Sequence, residues 1–163
     1  MKKENAYQSL LLNDGKFKVK HSWTDDEAKV HIAGLSQKFT ILHLSDNHIT
    51  VSNESDIPFE QYGKRMNRGY RSVKHYKTGI RTTPLKCFYA LLDLAKSNKV
   101  DMIMLTGDVV NNPSKTSVTL ICDELKKTGI PYAYIAGNHD WHYEGMEGSA
   151  NNLRDRGILP GSM

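Results

Sequence analysis

Three short polar clusters carry residue types that bind metals or move protons. They are Asp46 with His48, then Asp108, then Asn138 with His139 and Asp140. Carboxylates and imidazoles are common donors to divalent cations, and an amide oxygen is a neutral hard donor. In an Asp-x-His turn leaving a strand, alternate side chains share one side, so Asp46 and His48 are placed to grip one ion from two directions. Asp108 has two oxygens with which to bridge a pair of ions. Asn138 adds a donor without the charge that would weaken their Lewis acidity. Singly, Asp-x-His also reads as a surface or packing His beside a strand end and Gly-Asp as an ordinary turn, whereas Asn-His-Asp after Gly is a stronger signal that only a structural Asx-turn would mimic. The signal lies in their joint occurrence, each at the end of a β-rich run.

Those runs are the elements that must position the clusters. Phe39 to Leu44 is a core strand ending on Ser45-Asp46-Asn47-His48, Asp101 to Thr106 is a strand ending on Gly107-Asp108, and Pro131 to Ala136 is a strand ending on Gly137-Asn138-His139-Asp140. Two helices are predicted between them. One starts at Thr83-Pro84, with Thr as cap, Pro in the first turn and Leu85, Phe88, Leu92 and Ala95 on one face, and ends near Asn98. The other is capped by Ser114, presents Val118, Ile121, Cys122 and Leu125, and ends at Lys126, Lys127 and Gly129. The resulting βαβαβ alternation implies an α/β fold with a parallel or mixed sheet flanked by helices. Its strand ends share the edge at which open sheets bind ligands. Upstream, 16–23 alternates with period two and 30–33 forms a second strand, so 1–38 reads as a strand-rich extension. Residues 51–81 lack clean periodicity and read as a long loop or excursion, and the span Glu144 to Arg156 is compatible with one helix.

Ser45-Asp46-Asn47-His48, Gly107-Asp108-Val109-Val110-Asn111 and Gly137-Asn138-His139-Asp140 together resemble the three leading motifs of the calcineurin-like metallophosphoesterase superfamily. The resemblance runs from about Phe39 to Asp140, and it makes 39–163 an incomplete domain of that type, the N-terminal half of a four-layer α/β/β/α sandwich. It implies Asp46 and His48 on a first metal, Asp108 bridging both metals and Asn138 on the second. His139 would stabilise the transition state or protonate the leaving group, and Asp140 would orient it. The implied cofactors are two divalent or trivalent ions, manganese, iron or zinc. The implied activity is hydrolysis of phosphomonoesters or phosphodiesters by a dimetal-activated hydroxide. Gly-Asp-Val-Val-Asn and Gly-Asn-His-Asp differ from the Asp-Arg and His-Glu forms of protein Ser/Thr phosphatases, which points to small phosphoester or nucleotide substrates.

The family completes its site with a lone His and a Gly-His-x-His downstream of the third motif. The seven histidines here are 21, 31, 43, 48, 75, 139 and 142, and none lies in a Gly-His-x-His. His43 is expected to pack against the strand core. The expectation is therefore a fragment, or a chain whose missing ligands come from another chain or from solvent. Weak metal binding and low turnover follow from that. The alternative is a non-catalytic remnant that binds phosphorylated ligands or nucleic acid.

The chain has 163 residues and a formal net charge of +4. Lys64, Arg65, Arg68, Arg71, Lys74, Lys77, Arg81 and Lys86 lie in one stretch with no acidic residue, so the rest of the chain is acidic overall. Tyr62, Tyr70 and Tyr76 interleave with these bases, as a segment that holds phosphates or stacks bases would require. Arg65, Arg68 and Arg71 are the candidate substrate contacts, although a solvated loop balancing nearby carboxylates fits the same pattern. Cys87 and Cys122 fall on apolar helix faces and read as buried thiols rather than a disulfide. No apolar run approaches the roughly 18 residues a membrane span needs, and no signal segment is evident, so the expected address is the cytoplasm.

Overall fold

Strand-forming residues of this chain fall in two groups, and each builds its own sheet. The computed structural model describes residues 5–7, 11–12, 17–24, 28–34 and 36–149. The chain divides into two units, Met1–Phe39 and Thr40–Met163. In the first, β1 (Asn5–Tyr7), β2 (Leu11–Leu12) and β4 (Ala28–Ile32) all pair antiparallel with β3 (Phe17–Trp23). The period-two pattern of β3 buries Val19 and exposes Lys20.

The second unit is a three-stranded parallel sheet in the order β5 (Ile41–Leu44), β8 (Met102–Thr106) and β9 (Tyr132–Ile135). Between β5 and β8 lie α1 (Ile57–Gly69), the short hairpin of β6 (Val73–Lys74) and β7 (Arg81–Thr82), and α2 (Pro84–Ser97). Helix α3 (Lys115–Thr128) joins β8 to β9, and the one-turn α4 (Asn138–Trp141) follows β9. The central strand β8 buries Ile103 and Leu105 on one face. There they meet Phe88, Leu92 and Ala95 of α2 and Ile121 and Leu125 of α3 in a single apolar core. On the other face Ile41 and Ile135 are 45% and 64% exposed. The α/β architecture and its parallel sheet match the fold class expected from the motifs.

Thr83 caps α2 by accepting from the Lys86 amide, and Ser114 caps α3 by accepting from the Ser117 amide. Both helices start where the sequence indicates, but the apolar face of α3 is rotated. Val118 is 43% exposed, and Ser117, 1% exposed, takes the inward position. Its hydroxyl donates to the Val51 carbonyl and accepts from the Val51 amide, both at 2.9 Å, so a polar tie rather than apolar area sets the helix rotation. Cys87 and Cys122 are free thiols, half-buried rather than fully buried. His43 is also not a packed residue. It is exposed on the open face of the sheet, 2.6 Å from the Thr106 hydroxyl.

The largest departure is 51–81, which is a helix and a hairpin rather than a loop. Asn53 accepts from the Ser55 amide while Asp56 accepts from the Asn53 amide, a reciprocal cap that starts a 3-10 turn (Glu54–Asp56) leading into α1. The inward face of α1 runs through Tyr62, Gly63, Met66 and Asn67, so a glycine and an asparagine interrupt its apolar stripe. A Cβ at Gly63 would stand 2.8 Å from Asn112 Nδ2, which explains the glycine. A helix over Glu144–Arg156 is likewise not formed in its described part. Residues 144–149 make turns, with the Gly145 amide donating to the Tyr62 carbonyl of α1 and Met146 closing back on Tyr143. The remainder of that span lies outside the described residues.

Phe88 is fully buried between sheet and helices. Phe88→Ala is expected to lower unfolding free energy by about 3–5 kcal/mol, measured by denaturant titration of circular dichroism.

Candidate metal centre

The parallel pairing of β5 with β8 continues beyond both strands. The Asp46 amide donates to the Gly107 carbonyl at 3.1 Å, His48 to Asp108 at 2.9 Å, Ile49 to Val109 at 3.0 Å, and Asn111 back to Ile49 at 2.9 Å. Keeping this ladder while turning donor side chains toward one point forces unusual backbone. Asp46, His48 and Asp108 have φ of 53°, 47° and 52°. The left-handed region costs an L-residue about 1–2 kcal/mol, somewhat less for Asp, and such residues cluster at functional sites. The first two motifs are thus held in register by their own main chains.

The third motif is brought in by two glycines. Gly107, at φ 98°, faces Gly137 so closely that a Cβ on Gly107 would lie 3.0 Å from the Gly137 Cα. A Cβ on Gly137 would lie 2.5 Å from the Asp108 amide nitrogen and collide with the Asp108 carboxylate. The His139 amide then donates to Asp108 Oδ1 at 2.9 Å.

His48, Asp108 and His139 can each offer a ligand atom within 4.8 Å of the other two. His48 is 6% exposed, and its Nδ1 is buried without a hydrogen-bond partner. Its ring stacks on Tyr70, with centroids 3.7 Å apart, and meets the His139 ring edge-on at 4.7 Å. Burial is the main cause that lowers the His48 pKa from 6.5; His139 acts in the same direction, and Asp108, Asp46 and Asp140 oppose it. The neutral imidazole that results is the form that binds metals. A buried neutral imidazole grouped with a carboxylate and a second imidazole fits a divalent cation.

The other sequence candidates are distributed around this cluster. Asp46 stands at its rim, exposed, with Oδ1 4.0 Å from His48 Nε2 and Oδ2 accepting from the Ser45 hydroxyl at 2.7 Å. Asn138 is exposed at the first position of α4. Asp140 accepts from the Gly137 amide at 2.9 Å and the Val110 amide at 3.0 Å, so its carboxylate pins the third motif to the second. The partner at the His139 ring is the Asn111 carbonyl, 3.1 Å from Nδ1, rather than Asp140. A carbonyl can only accept, so Nδ1 carries the proton and Nε2 is left for the site. The Tyr134 hydroxyl is pushed up to about 12 by partial desolvation and then by the neighbouring Asp140 carboxylate, although the residue as a whole is 53% exposed. Arg68 and Arg71 are exposed, whereas Arg65 pairs with Glu144 at 2.9 Å. Sequence reasoning missed Asn67 and Asn111 as parts of the site, and it read Tyr70 as an aromatic of the basic segment rather than as the ring that stacks on His48. Asn111 had a signal, as the last residue of the second motif.

Residues 39–161 match the family model for calcineurin-like phosphoesterases. The chain belongs to that family. It is 35% identical over 109 residues to a DNA double-strand break repair protein Mre11 of Sulfurisphaera tokodaii, covering 63% of this chain and 22% of that protein. It is 39% identical over 57 residues to a probable cyclic nucleotide phosphodiesterase of Moraxella catarrhalis, covering 35% of this chain and 21% of that one. A probable cyclic nucleotide phosphodiesterase of Psychrobacter sp. is 27% identical over 136 residues, covering 72% of this chain and 40% of its own length. The chain thus spans less than half the length of these curated relatives.

Gly137→Ala is expected to displace the Asp108 carboxylate, weaken Mn²⁺ binding in calorimetric titration and cost about 1–3 kcal/mol of stability. A second outcome follows from His48. Its folded pKa lies below its unfolded value, so unfolding takes up a proton in the window just below pH 6.5. The metal-free chain should gain stability as pH rises through that window and lose it as pH falls. His48→Asn should flatten this dependence in denaturant titrations at a series of pH values.

Proposed function

We propose that this chain hydrolyses phosphodiesters of the nucleotide type at the centre formed by the three strand ends. The reading is carried by one observation, the convergence of His48, Asp108 and His139 donor atoms within 4.8 Å, the first two on left-handed backbone. Asp46, His48, Asp108 and Asn138 are the residues that would hold two cations, manganese, iron or zinc. Those ions, when bound, supply Lewis acidity toward the attacking water and the phosphoryl oxygens. His139, its Nδ1 proton committed to the Asn111 carbonyl, uses Nε2 to hold or deliver the proton that the departing ester oxygen needs. Asp140 keeps the turn that presents His139.

Substrate class rests on two features. The named relatives are a DNA repair protein and cyclic nucleotide phosphodiesterases, and nucleotide phosphodiester chemistry is common to those names. Tyr70, 37% exposed while stacked over His48, offers an aromatic face beside the donors for a base. Arg68 and Arg71 are free to meet phosphate oxygens, and Arg65 joins them if its pair with Glu144 opens. A phosphoesterase domain over 39–163 with a strand-rich extension over 1–38 belongs to this reading. So does a cytoplasmic address, supported by the two free thiols. Among the described residues no helix is long and apolar enough to cross a membrane.

The test is hydrolysis of bis-p-nitrophenyl phosphate with and without added Mn²⁺, with metal content measured alongside. Mn²⁺-dependent turnover that falls to background in Asp108→Ala, together with loss of bound metal, is the expected result. Unchanged metal content and unchanged turnover in Asp108→Ala would overturn it. Nucleotide binding without turnover would reduce the chain to a ligand-binding domain.

A further inference from the structure

Helix α1 contributes one polar side chain to the ground behind the metal centre. The Asn67 amide oxygen accepts from Asn111 Nδ2 at 2.9 Å, Asn112 Nδ2 at 2.7 Å and the Thr50 hydroxyl at 3.3 Å. Asn111 and Asn112 are 1% and 3% exposed, so their amide hydrogens have no water to turn to. Thr50 follows the first motif by two residues, and Asn111 ends the second. One acceptor therefore clamps both loops in addition to their shared backbone ladder. The clamp reaches the third motif as well, because the Asn111 whose side chain Asn67 holds is the residue whose carbonyl meets His139 Nδ1 at 3.1 Å.

We infer that Asn67 is the positioning residue that fixes the ring of His139, acting through Asn111. It touches neither metal donor and lies outside all three motifs. Free imidazole in water does not hold its proton on Nδ1 alone; a carbonyl fixed at hydrogen-bond distance imposes that tautomer and aims Nε2 outward. The Asn111 carbonyl stays fixed because its side chain is tethered. Without Asn67, two buried amide groups lose their acceptor, and the 111–112 turn must move to reach water. Asn67→Asp keeps an acceptor oxygen of nearly the same shape, whereas Asn67→Leu keeps volume and removes the acceptor. The inference rests on the role given to His139 above, but its central readout requires neither metal nor turnover.

The experiment is long-range ¹H–¹⁵N correlation of the His139 ring in the metal-free chain, with folding followed by circular dichroism. Wild type and Asn67→Asp are expected to carry the ring proton on Nδ1, and Asn67→Leu to shift it toward Nε2 while remaining folded. Because the same clamp holds the loops that carry His48 and Asp108, Mn²⁺ affinity should fall roughly 10- to 100-fold in Asn67→Leu and return in Asn67→Asp, as for other outer hydrogen-bond partners of metal sites. If Asn67→Leu does not fold, Asn67→Ser removes the reach to Asn111 with a smaller disturbance and is read the same way. Three results would overturn the inference: an Nε2 proton in the wild type, an unshifted tautomer in a folded Asn67→Leu or Asn67→Ser, or loss of the Nδ1 proton in Asn67→Asp. Absence of hydrolysis with an intact tautomer pattern would count against the proposed function and leave the inference standing.

Discussion

The register between β5 and β8 does not stop where the strands stop, and the rest of the site depends on that continuation. Four main-chain hydrogen bonds carry the pairing from Asp46 to Asn111. Main-chain bonds in a buried ladder are costly to break because each lost partner leaves a desolvated group. The ladder therefore overrides local preference, and Asp46, His48 and Asp108 take left-handed backbone to satisfy it. Their side chains are aimed by the sheet itself rather than by a flexible loop.

Helix α1 plays the complementary part largely through polar contacts. Gly63 lets it approach Asn112, Asn67 binds three donors, and the Tyr62 carbonyl receives the Gly145 amide from beyond the third motif. The pair of Arg65 with Glu144 and the stacking of Phe59 on Tyr143 add two more links between α1 and that segment. Polar contacts depend on distance and angle more steeply than apolar packing does. A helix docked this way fixes positions to a few tenths of an ångström, which is what a site built from several loops needs.

Much of this was legible in the residues. Caps at Thr83 and Ser114, the spacing of Phe88, Leu92 and Ala95, and three strands ending in donor residues gave the sheet, its two covering helices and the cluster. What escaped has a common physical cause. Periodicity detects apolar faces, and α1 closes its face with glycine and asparagine, leaving Ile57 60% exposed on the outside. Ser117 replaced Val118 for the same reason, a hydrogen bond outweighing area. The Asn53 and Asp56 pair was a readable start signal for α1 once capping is given weight over hydropathy. The tie between Asn111 and His139 spans 28 positions and has no local trace in the sequence.

Three of the four non-glycine residues with positive φ among those described are the donors Asp46, His48 and Asp108. Glycine and asparagine would relax the backbone at those positions. A library of variants screened for heat resistance alone would accordingly gather such substitutions at these three sites and shed the donors in the same step. Robustness and chemistry pull the same codons in opposite directions, so any laboratory selection on this chain must hold ligand binding as a second criterion from the first round.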